Sequence, residues 1–476
     1  MVALVLGVLK YAFVFSYGLF TLTRYGVAAV LSGYFFKKTT EKDTLDLQLA
    51  RNRLWDLSKK WLAFSHQMLT LQNGFKFHYV CNEPNAIPSA QKPLVIFIHG
   101  FPDSWAIWRH ILNVESLQDA ATVVAVDLPG YGGSEGLSRY SATQVLENLT
   151  EFIIAVRAKY GIDGTNGTRQ QRTIIVGHDW GCLISMRLAA DAPQLADRFI
   201  LTNGPLIPLV VSNGRYRLSS SLKMFKTFLH SPIQSRSLFS NALRSLKPVF
   251  QQIWLSGYIF AFLLPSAFVE YLGAGGNYSF LKLIHIMSYG KQEFTPTDAA
   301  ECMASTIGPS AHECKTKTVD DEEYPKSLAY KRVLSNFLEM TSYYRDNTAV
   351  SRWRKSVETI TSLHSIRQGN EDCRVGSGAG LFDDGPTGGL KASTTVLWGK
   401  ADTALNPQLC LDGISEYLVK DSHVVELPNS GHFTPLERES RIAITKTVEW
   451  AAKGEREDIG AIIQACYPSA TVTVRK

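Results

Sequence analysis

From residue 94 onward, short runs of mostly β-branched apolar residues alternate with stretches whose apolar positions recur at steps of three and four. The runs Leu94–Ile98, Thr122–Val126, Thr173–Val176, Phe199–Thr202, Thr394–Leu397 and His423–Leu427 read as buried strands. Between them, Ser141-x-x-Gln144 is a capping box ahead of Val145, Leu149, Phe152 and Val156, and Cys182–Ala190 continues as a second helix. Short apolar strands alternating with helices predict a mostly parallel sheet covered on both faces. Upstream, Asn73-Gly74 separates Met68–Gln72 from Phe75–Val80, a strong hairpin signal. Leu47, Ala50, Leu54, Leu57 and Trp61 predict an amphipathic helix that lies on a membrane or packs on the domain.

Residues 1–36 are mostly apolar, interrupted only by Lys10 and Arg24, and Lys37 and Lys38 follow at once. A membrane span needs roughly 20 apolar residues, so this segment is expected to be an uncleaved anchor. The rival readings are a cleaved signal peptide, which would need a shorter apolar region, and a re-entrant or interfacial helix pair. Lys37, Lys38, Lys42, Arg51 and Arg53 outnumber Lys10 on the other flank, which predicts a single-pass or hairpin anchor, at the endoplasmic reticulum, with the large domain facing the cytosol.

The strand-helix alternation breaks between about residues 206 and 392. That block is aromatic-rich and helix-like, with a Gly/Asp-rich connector at 369–389. A block of this size after a central strand is expected to be a lid or cap. The organisation expected is therefore an anchor at 1–38, a first core part at 39–205, a cap with its connector at 206–392, a second core part at 393–455 and a tail at 456–476.

Composition narrows the function. The 49 basic and 43 acidic residues are spread along the chain, so the net charge of +6 leaves no nucleic-acid footprint. The seven cysteines form no C-x-x-C pair and no Cys/His ligand set, so no metal site is expected and the thiols are read as reduced. Asn148, Asn166 and Asn277 each open an N-x-S/T triplet, a pattern frequent by chance.

The chemistry concentrates where strands end. Gly177-His178-Asp179-Trp180-Gly181 follows Thr173–Val176 and carries aspartate where the strand-to-helix nucleophile turn of a serine hydrolase carries serine. An aspartate, with a reference pKa of about 3.9, is already an anion at neutral pH and needs no base to attack an sp³ carbon. By itself the pentapeptide is matched equally well by Asp179 as a helix cap. Further clusters favour the catalytic reading. His99-Gly100-Phe101-Pro102 closes one strand, and the Phe101 and Trp180 N–H groups are the expected oxyanion hole. Asp402 and His432 follow two later strands, in the chain order nucleophile, acid, histidine.

With these motifs, the sequence from about Lys92 to Trp450 resembles the epoxide hydrolases of the α/β-hydrolase superfamily. The matching elements are H-G-x-P, G-x-D-x-G and the late acid and histidine. The segment Tyr258–Pro265 resembles the family's first cap-tyrosine motif and Ser342–Asp346 its second, which implies that Tyr258 and Tyr344 activate the epoxide oxygen. The resemblance further implies an α/β-hydrolase fold, an inserted cap, an apolar epoxide as small-molecule partner, no cofactor and no obligate protein partner. It makes Asp179 the nucleophile, His432 the general base, Asp402 its orienting acid, and His99, Pro102 and Trp180 substrate contacts. Cys182, where a second glycine is common, and the enlarged cap depart from the pattern. Two other readings share these residues: a haloalkane or haloacid dehalogenase with Trp180 as halide donor, and a binding protein that kept the fold without turnover.

Overall fold

The computed structural model describes residues 2–33, 35–83, 92–162, 171–331, 336–368 and 386–475. Its strands are β1 (Ser65–Thr70), β2 (Lys76–Cys81), β3 (Leu94–Ile98), β4 (Thr122–Val126), β5 (Thr173–His178), β6 (Arg198–Thr202), β7 (Thr394–Gly399), β8 (His423–Leu427) and β9 (Thr471–Val474). They form one sheet in the order β1-β2-β4-β3-β5-β6-β7-β8-β9. β3 through β8 run parallel; β1 and β2 on one side and β9 on the other are antiparallel, with β1 and β9 at the edges. β3, β4, β5 and β6 are buried at every residue, as their unbroken apolar runs require of strands covered on both faces.

The helices before the insertion are α1 (Val2–Leu31), α2 (Glu41–Trp55), α3 (Arg109–Leu112), α4 (Glu115–Ala120), α5 (Ala142–Lys159) and α6 (Trp180–Asp191). Between β6 and β7 lie α7 (Ile207–His230), α8 (Arg236–Leu255), α9 (Gly257–Phe262), α10 (Ser266–Ser288), α11 (Pro296–Ile307), α12 (Lys326–Lys331), α13 (Phe337–Arg345) and α14 (Val357–Gln368). The chain ends through α15 (Pro407–Cys410), α16 (Arg438–Ala452) and α17 (Ile459–Cys466).

Four expectations change in three dimensions. The Asn73-Gly74 turn is wider than two residues, because the last ladder pair is Thr70 with Lys76; Gly74 takes φ +86°, and the Asn73 carboxamide accepts from the Phe75 N–H. The tail expected at 456–476 instead supplies α17 and the edge strand β9, which pairs with β8. The insertion expected to run to 392 includes α14, which packs on the sheet side against α5 and buries Leu363 and Ile366 in the main core. The apolar N-terminal segment is one continuous helix, not a helix pair.

The amphipathic segment near residue 50 folds as α2 and packs on the domain. Its Trp55 indole N–H donates to the Ala304 carbonyl of α11 at 2.8 Å. The connector at 369–389 lies largely outside the described residues, as do Cys373 and the Asn166 triplet. The six cysteines among the described residues are all free thiols. Of the other two glycosylation triplets, Asn148 is buried inside α5, and the Asn277 amide donates to the Lys37 carbonyl.

Candidate active site

The sheet brings the expected residues to the C-terminal ends of adjacent parallel strands, where an open α/β sheet leaves a crevice. Asp179 sits between β5 and α6 with φ +51°, and its side chain makes no cap bond to the helix. Its flanking glycines are sterically required. A Cβ on Gly177 would lie 2.5 Å from the Gly181 carbonyl oxygen, and one on Gly181 would collide with the Ile98 carbonyl oxygen. The turn therefore holds the carboxylate up from the strand end, leaving it free for other partners.

Those partners are in place. The Phe101 N–H donates to Asp179 Oδ1 at 2.7 Å. His432 Nε2 lies 3.5 Å from Asp179 Oδ2, while His432 Nδ1 meets Asp402 Oδ2 at 2.8 Å. Asp402 is fixed further by the Ala404 and Leu405 N–H groups on Oδ1 and by the Asn203 amide on Oδ2 at 2.7 Å. A carboxylate so saturated with donors is fixed in place and holds the imidazole in one orientation.

The electrostatics follow from this sandwich. Burial works against a charged His432, but the Asp402 charge, the hydrogen bonds to Asp179 and Asp402 and the Asp179 charge outweigh it, and its pKa is pushed up to about 10. Burial would raise the Asp179 carboxyl, yet His432 and the Phe101 N–H hold it below the ordinary value. At neutral pH the resting site is thus an imidazolium between two carboxylates.

Tyr258 on α9 and Tyr344 on α13 meet above this centre. Their rings are 5.9 Å apart at 88°, and Tyr344 lies 4.9 Å from the Trp180 ring. Burial, with the Asp179 charge adding to it, pushes both well above the ordinary phenol range, so both stay protonated donors. The neighbouring Tyr343 is spoken for: its hydroxyl donates to the Pro129 carbonyl at 3.0 Å.

His99 is a correction. The ring is fully buried, Nδ1 faces the Gly100 carbonyl and Nε2 accepts from the Leu128 N–H at 2.9 Å. With both nitrogens occupied it shapes the loop and offers nothing to substrate. Phe101, Pro102 and Trp180 are also buried, and Phe101 packs on Phe262, Phe337 and Tyr344. Two supporting residues went unread in the sequence. Asn203, at the end of β6, ties Asp402 to the Gly399 backbone. His178, kept neutral by burial and by the His432 cation, donates from Nε2 to the His432 carbonyl at 2.9 Å. His178 stood inside the elbow motif, but its role depends on a residue 254 positions away.

The sheet order is that of the α/β-hydrolase fold, and residues 93–229 match the family model described as alpha/beta hydrolase fold. Among the curated relatives, epoxide hydrolase 3 of Xenopus tropicalis is 31% identical over 136 residues, 28% of this chain and 32% of that protein. Epoxide hydrolase 4 of Mus musculus is 31% identical over 183 residues, 37% of this chain and 46% of that protein. Over these segments the chain is similar to epoxide hydrolases, and the matches span less than half the length of either relative. Among solved structures, a Bacillus megaterium epoxide hydrolase bound to an inhibitor is similar over 81% of this chain and 99% of that one, at 21% identity and a TM-score of 0.47.

Proposed function

We propose that the protein opens an epoxide to a vicinal diol through an ester on Asp179. The observation that carries the reading is the elbow carboxylate joined to His432 and Asp402, with the paired Tyr258 and Tyr344 rings packed beside Trp180. Asp179 attacks one epoxide carbon. The C–O bond breaks, and the departing alkoxide takes a hydrogen bond or a proton from Tyr258 or Tyr344. Esterification removes the negative charge of Asp179, which is one of the causes holding His432 protonated. His432 can then give up its proton, which restores the tyrosine that protonated the alkoxide, and, oriented by Asp402, act as base toward a water that attacks the ester carbonyl. The new oxyanion rests on the Phe101 and Trp180 N–H groups, and collapse frees the diol. No step calls on a cofactor.

The dehalogenase reading is less well supported. The Trp180 ring packs edge-on against Tyr344, and halide release gives the paired phenols no task. Membrane attachment through α1, with the catalytic domain cytosolic at the endoplasmic reticulum, is part of the proposal. Recovery of the full chain in the soluble fraction after alkaline carbonate would contradict the attachment.

The decisive experiment follows the oxygen. In a single turnover in ¹⁸O-water, the diol is expected to carry the unlabelled carboxylate oxygen while the label stays on Asp179. His432→Gln is expected to trap the ester, and Asp179→Ala to perform neither step. Label in the diol at the first turnover would overturn the covalent route.

A further inference from the structure

The surface that would meet a membrane is larger than α1 and differently shaped from a span. Along its inward side, α1 packs on the insertion from Phe13 to Ala29. The Phe13 and Tyr17 rings stand edge-on to Phe260, and the Tyr17 hydroxyl donates to the Ile253 carbonyl at 3.2 Å. A Cβ on Gly18 would lie 2.5 Å from the Phe260 carbonyl oxygen, Thr21 is buried, and the Arg24 guanidinium lies 4.2 Å from the Trp254 ring centre. Tyr25 reaches Phe280, and Ala29 is buried. The helix backbone runs from Val2 to Ala12 ahead of the first of these contacts. At 1.5 Å per residue that is about 16 Å of helix, roughly half of a 30 Å hydrocarbon core.

The opposite face of α1 is apolar and exposed, including Leu19, Phe20, Val27 and Val30. It continues into α8 through the contact of Phe20 with Trp254. α7 and α8 form an antiparallel hairpin, joined where Ser221 donates to the Ala242 carbonyl and Ser245 to the Arg217 carbonyl. Exposed apolar residues recur on α7 at Val211, Leu218, Leu222 and Leu229, and on α8 at Phe239, Leu243, Phe250 and Trp254. Steps of seven and four hold each set to one stripe of its helix. Both stripes are rotated in the same sense from the seam between the helices, which for antiparallel neighbours places them on one face. At the tip, Leu229 is 72% and Ile233 81% exposed.

Charge identifies what covers this face. Residues 207–255 contain seven Lys and Arg, among them Lys223, Lys226 and Arg236, and no Asp or Glu. A basic hairpin with an exposed apolar stripe is the composition that seats in the headgroup layer of an anionic bilayer. A second protein surface would need an acidic complement, and a soluble hairpin has no use for an uncovered stripe.

We propose that the protein is monotopic: the outward face of α1 and the α7–α8 hairpin form one platform that enters a single leaflet of an anionic membrane, and α1 does not cross it. The catalytic domain and the N-terminus are then on the same side. The platform also holds α9 from behind, since a Cβ on Gly257, the neighbour of Tyr258, would touch Thr21 on the inward side of α1.

The test uses the full chain with an N-terminal epitope tag, inserted into sealed microsomes. Added protease is expected to remove both tag and domain, whereas digestion of the domain with protection of the tag would restore the single-pass topology and overturn the proposal. In parallel, an environment-sensitive fluorophore is attached to L229C or I233C in the full chain, bound to phosphatidylcholine vesicles with and without phosphatidylserine. Blue-shifted emission, quenched by brominated lipid and strongest with phosphatidylserine, is expected at both positions. The same dye at V319C, a fully surface position, is expected to stay water-like. A water-like spectrum at the hairpin, or a blue shift that brominated lipid does not quench, would assign the face to solvent or to another protein. Each of these readouts is independent of epoxide turnover, so a failed covalent mechanism and a failed platform remain distinguishable.

Discussion

His432 titrates as the property of a cluster, because two carboxylates hold its proton. Replacing Asp179 by Asn removes one negative charge, and the imidazolium signal followed by NMR is expected to titrate clearly below pH 10; an unmoved midpoint would remove Asp179 from the cause. The same coupling sets a stability window. A raised His432 stabilises the folded state fully below its unfolded value of about 6.5, and that contribution is lost as pH rises through about 10. Asp179, lowered, contributes above about pH 4 and loses its contribution as pH falls. The paired phenols belong to this scale too. Tyr258→Phe or Tyr344→Phe is expected to slow ester formation, with the double change approaching the full ~10²–10⁴-fold value of general acid assistance. Rapid-quench trapping of the ester measures it, and near-normal rates in the double variant would leave both rings as packing. Asp179, Asp402 and His432 were legible in the sequence because each stands just past an apolar strand. Asn203 and His178 were not, since their partners come from other strands.

Among the elements, the elbow between β5 and α6 carries the tightest constraint. Gly181 has no room for a methyl group beside the Ile98 backbone, and that neighbour is a strand residue unable to give way. Gly181→Ala is therefore expected to lower stability by at least the ~1–3 kcal/mol typical of overpacking, read as a lower denaturation midpoint. A midpoint matching the wild type would mean that the turn relaxes more than its packing implies. The strands β3, β4 and β8 were readable to the residue, because continuous apolar runs bounded by polar turns leave little choice of end. β9 was missed: in Thr471-Val472-Thr473-Val474 only alternate residues are apolar and most of the strand is exposed, so the local pattern matches a tail.

At the level of the whole molecule, α1 and the insertion are one packed unit. Deleting residues 1–38 uncovers Phe260 and the Gly257 backbone of the helix that carries Tyr258. The truncated chain is expected to keep the cooperative unfolding of its sheet, yet to lose turnover as α9 loosens. Full activity after truncation would show that α9 holds its place alone. The sequence by itself determined the parallel sheet, the elbow and the order of the candidate triad, because each is written in local periodicity and in residues adjacent to strand ends. Which way the N-terminal helix faces, how α7 and α8 share a surface, and how two carboxylates meet one imidazole were decided only by tertiary packing. Those properties depend on contacts between residues hundreds of positions apart, which no window along the chain can contain.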